Sequence, residues 1–221
     1  MIPIFDLDDT LYPERAFVES GFLAVALMLE QRFGWSVNES LEHMFETLAR
    51  QGRGTVFNRL LNYKGISNST IVRVCVDTYR RHLPNIQLEP IALDMLSSLR
   101  VLPYLVTDGH KIVQKNKVDA LNLNPLFQKI YITHRYGIRH AKPSTHCFEL
   151  IRRRENCEWQ DMFYVGDNPA KDFINLNLLG VHTIRILTGQ HSKVIAQPGY
   201  DALHKIHSLN QLEEIIPNIL R

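Results

Sequence analysis

Three aspartates lie within four positions near the start of the chain: Asp6, Asp8 and Asp9 follow the apolar residues 2–5. Carboxylates at this spacing repel one another unless a cation or a proton is bound. Magnesium fits, because it prefers carboxylate oxygens as ligands. On an extended backbone Asp6 and Asp8 would point the same way, so one could attack phosphorus as a nucleophile while the other donates and later removes a proton. The alternative is an acidic turn without a function.

A second group of acids follows another apolar run, at residues 162–165. Gly166 allows the backbone to turn tightly, and Asp167 comes directly after it. Asp167 could complete a metal site with Asp6, and Asp172 falls in the first turn of the next predicted helix, close enough to support that site. The alternative is a helix start rich in acids, which the helix dipole favours without any ligand.

Two weaker signals lie between these acids. Thr107, Asp108 and Gly109 offer a hydroxyl and free backbone amides at the end of an apolar run, and such groups bind phosphate oxygens well. Lys142, just before Pro143, could neutralise a phosphoryl group. Taken singly, these residues could equally be a plain turn and a solvated surface lysine.

The order of predicted elements brings the four signals together. Apolar runs predict strands at residues 2–7, 101–107, 129–133, 162–165 and 181–187. Helical patterns lie between or after them, at residues 112–123, 145–154, 171–179 and 208–220. This alternation predicts an α/β fold, a parallel sheet with helices on both faces. Ligands bind beyond the carboxyl ends of such strands, so all four groups are expected at one edge.

Residues 13–90 break the alternation and are predicted to be a separate, all-helical insertion. Apolar residues recur there at spacings of three and four. Residues 69–79 are ambiguous, because their β-branched side chains would also suit a strand, but the shared face favours a helix. The expected division is a core of residues 1–12 and 91–221 with an inserted unit of residues 13–90.

The chain resembles the haloacid dehalogenase-like superfamily of hydrolases, in order from residue 2 to about residue 187. The family's motif Asp-x-Asp-x-Thr is matched by Asp6, Asp8 and Thr10. The remaining motifs are matched by Thr107, by Lys142 before a proline, and by Asp167 with Asp172. The resemblance implies a Rossmann-like parallel-sheet core, with residues 13–90 as a helical cap of the first type.

The resemblance also implies residue roles and a Mg²⁺ cofactor. Asp6 would be the nucleophile and a metal ligand. Asp8 would be the general acid and base, with its backbone carbonyl on the metal. The phosphoryl oxygens would be held by Thr107 and Lys142, and the metal by Asp167 and Asp172. Many relatives carry Asn where this chain has Asp108, and the extra charge there could weaken phosphate binding or select a cationic substrate group.

The resemblance favours a phosphatase over a dehalogenase, because dehalogenases lack an acid at the position of Asp8. A halide leaving group needs no proton, whereas an alkoxide does. The expected substrate is a small phosphorylated metabolite, such as a sugar phosphate or a nucleotide. A phosphomutase of the same fold and a non-catalytic binding module remain as alternatives.

Composition restricts the partners. The 221 residues carry a net charge of +2, which points neither to nucleic acid nor to an anionic membrane surface. Neither a signal peptide nor a run of about 18 apolar residues is visible. The three cysteines are too few and scattered for a disulfide framework. We therefore expect a cytoplasmic enzyme; the sequence leaves its oligomeric state open.

Overall fold

The computed structural model describes residues 1–220 of the chain. Within them six strands form one sheet in the order β3-β2-β1-β4-β5-β6, and every neighbouring pair is parallel. The strands are β1 Ile2–Phe5, β2 Tyr104–Thr107, β3 Lys129–Ile132, β4 Met162–Gly166, β5 His182–Ile186 and β6 His204–Ile206. The parallel α/β sheet expected from the sequence is confirmed.

The central strand β1 determines where the polar residues leave the sheet. It pairs with β2 on one side and β4 on the other, and Phe5 lies opposite Val165. Asp6 therefore follows β1 at the edge where Asp167 follows β4, and Thr107 ends β2 at the same edge. The strand order reverses beside β1, and such a switch point is where ligands bind in open α/β sheets.

Helices occupy most of the remaining chain. Among the described residues they are α1 Glu14–Phe33, α2 Val37–Gln51, α3 Val56–Tyr63, α4 Ser69–Arg81, α5 Pro90–Ser98, α6 Lys111–Ala120, α7 His146–Glu155, α8 Ile174–Leu179 and α9 Leu212–Ile215. None of these helices is both long and apolar enough to cross a membrane.

The chain divides into two compact units: Met1–Glu14 with Gln87–Arg221, here called the core unit, and Arg15–Ile86, the helical unit. The core unit contains the sheet. Its apolar core includes Ile4 of β1, Val106 of β2 and Tyr164 of β4, packed with Phe148 and Ile151 of α7. These strands are buried along almost their whole length, as is usual for central strands of a parallel sheet.

The helical unit has an apolar core of its own, which includes Val25, Leu29, Met44 and Leu60. Side-chain caps fix the starts of two of its helices. The Ser36 hydroxyl accepts from the backbone N–H of the third residue after it, and the Asn68 side chain accepts from two backbone N–H groups at the start of α4. Residues 69–79 are helical, as the shared face indicates.

Several element boundaries differ from the sequence-based expectation. The helix predicted at residues 171–179 begins only at Ile174, because residues 168–172 form a turn closed by backbone bonds to Asn168. The last helix does not run to residue 220: α9 ends at Ile215, and Pro217 cannot continue a helix. Helix α7 begins at His146, one residue after its predicted start.

Two short elements lacked a clear sequence signal. Strand β6 has three residues, of which Ile206 is the buried one. A strand this short cannot show an alternating pattern over several positions. Helix α5 begins at Pro90, where the sequence predicted only the end of the insertion.

Arg185 ties the edge of the sheet to the loop that follows β5. Its side chain is almost fully buried, and its guanidinium donates to Asp201 at 3.1 Å and to the carbonyl oxygens of His191 at 2.7 Å and Val194 at 2.8 Å. A buried charged donor of this kind stabilises the fold mainly because its removal leaves its partners unpaired.

We expect Arg185→Met to lower the free energy of unfolding by about 3 kcal/mol, because the bound carbonyl groups and Asp201 lose a charged donor. Urea denaturation followed by circular dichroism measures the change. The control is Lys205→Met, which removes a second cation paired with Asp201, a half-exposed lysine at 2.7 Å, and should cost less than about 1 kcal/mol. Equal losses in both variants would contradict the anchoring role of Arg185.

Candidate active site

Asp6 is the most enclosed of the three aspartates near the start of the chain. Its backbone N–H donates to the carbonyl of Val165 at 2.8 Å, which continues the pairing of β1 with β4 by one residue. Its carboxylate lies 2.9 Å from the Lys142 ammonium. Burial raises the pKa of Asp6 to about 6, although the positive charge of Lys142 opposes this rise.

Asp6, Asp167 and Asp172 each place one carboxylate oxygen within 4.8 Å of the others, and all three residues are buried. Burial and the neighbouring charges of Asp6 and Asp172 raise the pKa of Asp167 to about 9. Such crowding of acids costs stability unless a cation compensates their charge. Three converging carboxylates are the oxygen ligands that magnesium prefers, so these residues fit a magnesium site.

Lys142 is the buried cation of this cluster. Its ammonium donates to Asp172 at 2.7 Å and to the hydroxyl of Tyr164 at 2.8 Å, in addition to its contact with Asp6. Burial lowers the pKa of Lys142, but Asp172 and Asp6 outweigh this effect and hold its pKa well above the usual value. Lys142 is therefore a permanent positive charge beside Asp6.

Gly166 is required by the position of Asp172. A Cβ atom on Gly166 would lie 2.7 Å from a carboxylate oxygen of Asp172. That same oxygen accepts from the backbone N–H of Asn168 at 2.9 Å, which fixes the turn after β4. The glycine predicted to allow a tight turn thus also gives space to an acidic side chain.

Thr107 and Gly109 flank the loop after β2. Thr107 is buried, and its hydroxyl oxygen accepts from the Gln114 side-chain amide at 2.8 Å. Gly109 has φ of +137°, a conformation that favours glycine, and a Cβ there would lie 3.2 Å from Gln114. The loop after β2 is therefore packed tightly against the following helix, α6.

The carboxylate of Asp108 is held within the core unit. It accepts from the Thr133 hydroxyl at 2.6 Å and from the backbone N–H of Lys142 at 3.1 Å, and the Lys171 ammonium lies 3.5 Å away. Burial raises the pKa of Asp108, but the charges of Lys142 and Lys171 and these hydrogen bonds lower it overall. Lys142 and Lys171 therefore offset the negative charge of Asp108 in this structure.

Asp8 has a different set of partners from Asp6. Its carboxylate accepts from the Lys117 ammonium at 2.7 Å, the Tyr12 hydroxyl at 2.6 Å and the Gln114 side-chain amide at 2.8 Å. Burial raises the pKa of Asp8, but Lys117 and these hydrogen bonds outweigh it, so the pKa of Asp8 is lowered. Strand β1 ends at Phe5, so the alternation expected of an extended backbone does not extend to Asp8.

The third aspartate, Asp9, holds two loops together. Its carboxylate accepts from the backbone N–H groups of Glu14 at 2.8 Å and Gln190 at 3.2 Å, and its carbonyl accepts from the Thr188 hydroxyl. A Cβ atom on Gly189 would lie 2.1 Å from the Asp9 carboxyl carbon. Asp9 thus fixes the loop after β1 against the loop after β5.

The sequence reasoning missed several side chains that contact the predicted site residues, among them Tyr12, Gln114, Lys117 and Tyr164. Tyr164 lies inside an apolar strand, where its hydroxyl gave no separate signal. Gln114 and Lys117 could have been found, because they interrupt the helical stripe that continues to Val118 and Leu121. Buried lysine and glutamine at such positions need partners.

The fold and this group of side chains together define the class of the protein. A parallel α/β sheet with aspartates, a threonine and a lysine at the carboxyl ends of its strands is the arrangement expected of haloacid dehalogenase-like proteins. The profile of the family described as haloacid dehalogenase-like hydrolase matches residues 3–186. The chain therefore belongs to this family, and the family indicated by the sequence motifs is confirmed.

Individual relatives agree with this assignment. A glyceraldehyde 3-phosphate phosphatase from Methanocaldococcus jannaschii is 27% identical over 224 residues, which cover 98% of this chain and 96% of the relative. The structure of a HAD-hydrolase from Bacillus subtilis bound to magnesium has a TM-score of 0.70 at 20% identity, and 98% of each chain is covered. The 2-haloacid dehalogenase of Pseudomonas syringae pv. Tomato DC3000 has a TM-score of 0.65 at 21% identity, again over 98% of each chain. At these identities the two structures support the fold alone.

The raised pKa of Asp167 predicts how magnesium and pH act together on stability. The folded value of about 9 exceeds the ordinary value of 3.8, so the folded protein binds more protons than the unfolded chain between these pH values. Without metal, the contribution of Asp167 to the free energy of unfolding therefore falls as pH rises. Magnesium binds the deprotonated carboxylates, so its stabilising effect should grow with pH.

We expect the increase in melting temperature caused by magnesium, relative to EDTA, to be larger at about pH 8.5 than at about pH 6, by several degrees. Differential scanning fluorimetry in four matched buffers measures this. Asp167→Asn is the control variant, and its magnesium-dependent shift should be small at both pH values. A shift in the unaltered protein that does not depend on pH would contradict the prediction.

Proposed function

We propose that this protein is a magnesium-dependent phosphatase that hydrolyses a small sugar phosphate through a phosphoryl ester on Asp6. The observation that carries the proposal is the enclosure of Asp6: its buried carboxylate lies 2.9 Å from Lys142 and within 4.8 Å of Asp167 and Asp172. A phosphate group would bring further negative charge to a site that already holds several acids. Attack by Asp6 therefore needs positive charge at the site, from Lys142 and from a cation bound by the acids.

In the first step a carboxylate oxygen of Asp6 forms a bond to phosphorus, and the bond from phosphorus to the ester oxygen breaks. Asp8, which must carry a proton when this step begins, gives it to that oxygen, which leaves as an alcohol. In the second step Asp8 accepts a proton from water as the water oxygen attacks phosphorus, and the Asp6 carboxylate is released with inorganic phosphate. Atoms and charges balance without a further reactant.

The remaining residues of the proposed site bind and orient the phosphoryl group. Lys142 and the Thr107 hydroxyl are proposed to contact its oxygens, together with the backbone amides of Asp108 and Gly109. Asp6, Asp167 and the backbone carbonyl of Asp8 would hold the magnesium ion, and Asp172 would support it directly or through water. Bound there, the ion would neutralise charge on the phosphoryl oxygens and orient the group for in-line attack.

Asp8 favours a phosphatase over a dehalogenase. Three donors hold its carboxylate, at 2.6 to 2.8 Å, so the structure maintains an ionisable group beside Asp6 that a halide leaving group would not need. The name of the Methanocaldococcus jannaschii relative supports a three-carbon sugar phosphate as the substrate. By its place in the sequence, between Asp6 and Thr107, the helical unit corresponds to the family's cap, and the proposal gives it that role.

The proposal is tested by measuring phosphate release from a panel of sugar phosphates, beginning with glyceraldehyde 3-phosphate, and nucleotides, in magnesium and in EDTA. We expect Asp6→Asn to lower kcat by at least about 10⁴-fold, because the nucleophile is lost. Asp8→Asn should lower kcat by about 10² to 10⁴-fold.

Asp119→Asn, which alters a half-exposed aspartate on α6 paired with Lys115, is the matched control and should retain full activity. Trapping with borohydride or direct mass spectrometry should detect a phosphoryl group on Asp6. Full turnover by Asp6→Asn, or turnover that is unchanged in EDTA, would exclude the proposed mechanism.

A further inference from the structure

Helix α6 presents two polar side chains to the interior of the core unit. Gln114 and Lys117 are only 1% and 2% exposed. Positions three apart share a face of a helix, so both side chains point from α6 towards the loops after β1 and β2. Lysine is almost never buried unless it is paired, so the burial of Lys117 requires a charged partner.

Lys117 contacts the carboxylate of Asp8 directly. Its ammonium lies 2.7 Å from one carboxylate oxygen of Asp8 and 3.6 Å from Glu14. The hydroxyl of Tyr12 donates to the same oxygen of Asp8 at 2.6 Å. A carboxylate that receives two donors on one oxygen has little freedom to rotate.

Gln114 contacts the other oxygen of Asp8 and also the end of β2 and the loop after it. Its side-chain nitrogen lies 2.8 Å from Asp8, 2.8 Å from the Thr107 hydroxyl and 2.5 Å from the backbone carbonyl of Asp108. The reverse orientation of the amide would place its oxygen against the Asp8 carboxylate and the Asp108 carbonyl, both of which only accept hydrogen bonds. The observed orientation is therefore the favourable one.

This orientation leaves the amide oxygen of Gln114 buried and without a hydrogen-bond partner among residues 1–220. A buried oxygen without a partner lowers stability, so the hydrogen bonds of the amide nitrogen must account for the position of this side chain. When the Thr107 hydroxyl oxygen accepts from Gln114, its own hydrogen remains available for another acceptor. In the proposed site that acceptor is a phosphoryl oxygen.

We propose that Gln114 and Lys117 are positioning residues of the reaction: Lys117 holds the Asp8 carboxylate where it exchanges a proton with the leaving group, and Gln114 orients both Asp8 and the Thr107 hydroxyl. This inference rests on the proposed function. Neither residue touches the phosphoryl group, and they act on different parts of the reaction, so their loss should produce different kinetic changes.

Lys117→Met removes the charge but keeps much of the side-chain volume. The quantity to measure is kcat/KM for two esters, because this ratio reports the attack on phosphorus and not the later hydrolysis. For an alkyl phosphate, whose leaving group needs a proton, we expect a loss of about 30- to 100-fold. For p-nitrophenyl phosphate, whose leaving group departs as a stable anion, the loss should be below about 5-fold. Lys117→Arg, which keeps the positive charge, should lose less of kcat/KM for the alkyl phosphate than Lys117→Met does.

Gln114→Met should have a second effect, because Thr107 also loses its donor. We expect the inhibition constant of inorganic phosphate to rise about 5- to 10-fold in this variant, and to stay within about 2-fold of the unaltered value in Lys117→Met. Lys115→Met is the matched control: Lys115 lies on the same helix, half exposed and paired with Asp119, and its replacement should change none of these quantities.

Equal losses for the two esters in Lys117→Met, or an unchanged phosphate inhibition constant in Gln114→Met, would overturn the inference. A crystal structure of Lys117→Met provides a readout that does not need turnover. In that structure we expect the Asp8 carboxylate to have moved from its present position. An unmoved carboxylate would also refute the inference. If the unaltered protein hydrolyses no ester, the proposed function fails, while the position of Asp8 in this variant still decides whether Lys117 holds it.

Discussion

Crowded negative charge in a buried place is the constraint on which the site depends. Asp6, Asp167 and Asp172 bring carboxylate oxygens within 4.8 Å of one another, and burial raises the pKa of Asp6 to about 6 and that of Asp167 to about 9. Lys142 contacts two of the three acids and so offsets part of the repulsion. The remaining excess of negative charge is what makes this cluster suited to a divalent cation.

The parallel sheet explains how acids distant in sequence reach one place. Asp6 and Asp167 follow neighbouring strands that lie in register, because Phe5 is opposite Val165. Close approach then depends on small residues: Gly166 leaves space for the carboxylate of Asp172, and Gly189 leaves space for that of Asp9. The strands therefore give the approximate position of each group, and the glycines and hydrogen bonds of the loops give the exact one.

Much of this arrangement could be predicted from the sequence, since apolar runs followed by acids indicate the parallel strands and the edge at which their polar residues meet. The side chains that contact these acids could not be predicted in this way. The balance of Asp108 by Lys142 and Lys171 requires the loop geometry, and the contact of Lys117 with Asp8 joins residues 109 positions apart. Periodicity shows which residues share a face of α6, but not that a polar pair on that face finds acceptors in two different loops.

The two aspartates of the first motif are held by different cations, and this separation matters for the proposed chemistry. The charged neighbours of Asp6 include Lys142 at 2.9 Å and the carboxylates of Asp167 and Asp172, so its environment should change when magnesium or a phosphoryl group binds. Asp8 has Lys117, Tyr12 and Gln114 as partners, which belong to the protein itself. The structure thus keeps the proposed proton-transfer group in place while the charge around the proposed nucleophile changes during the reaction.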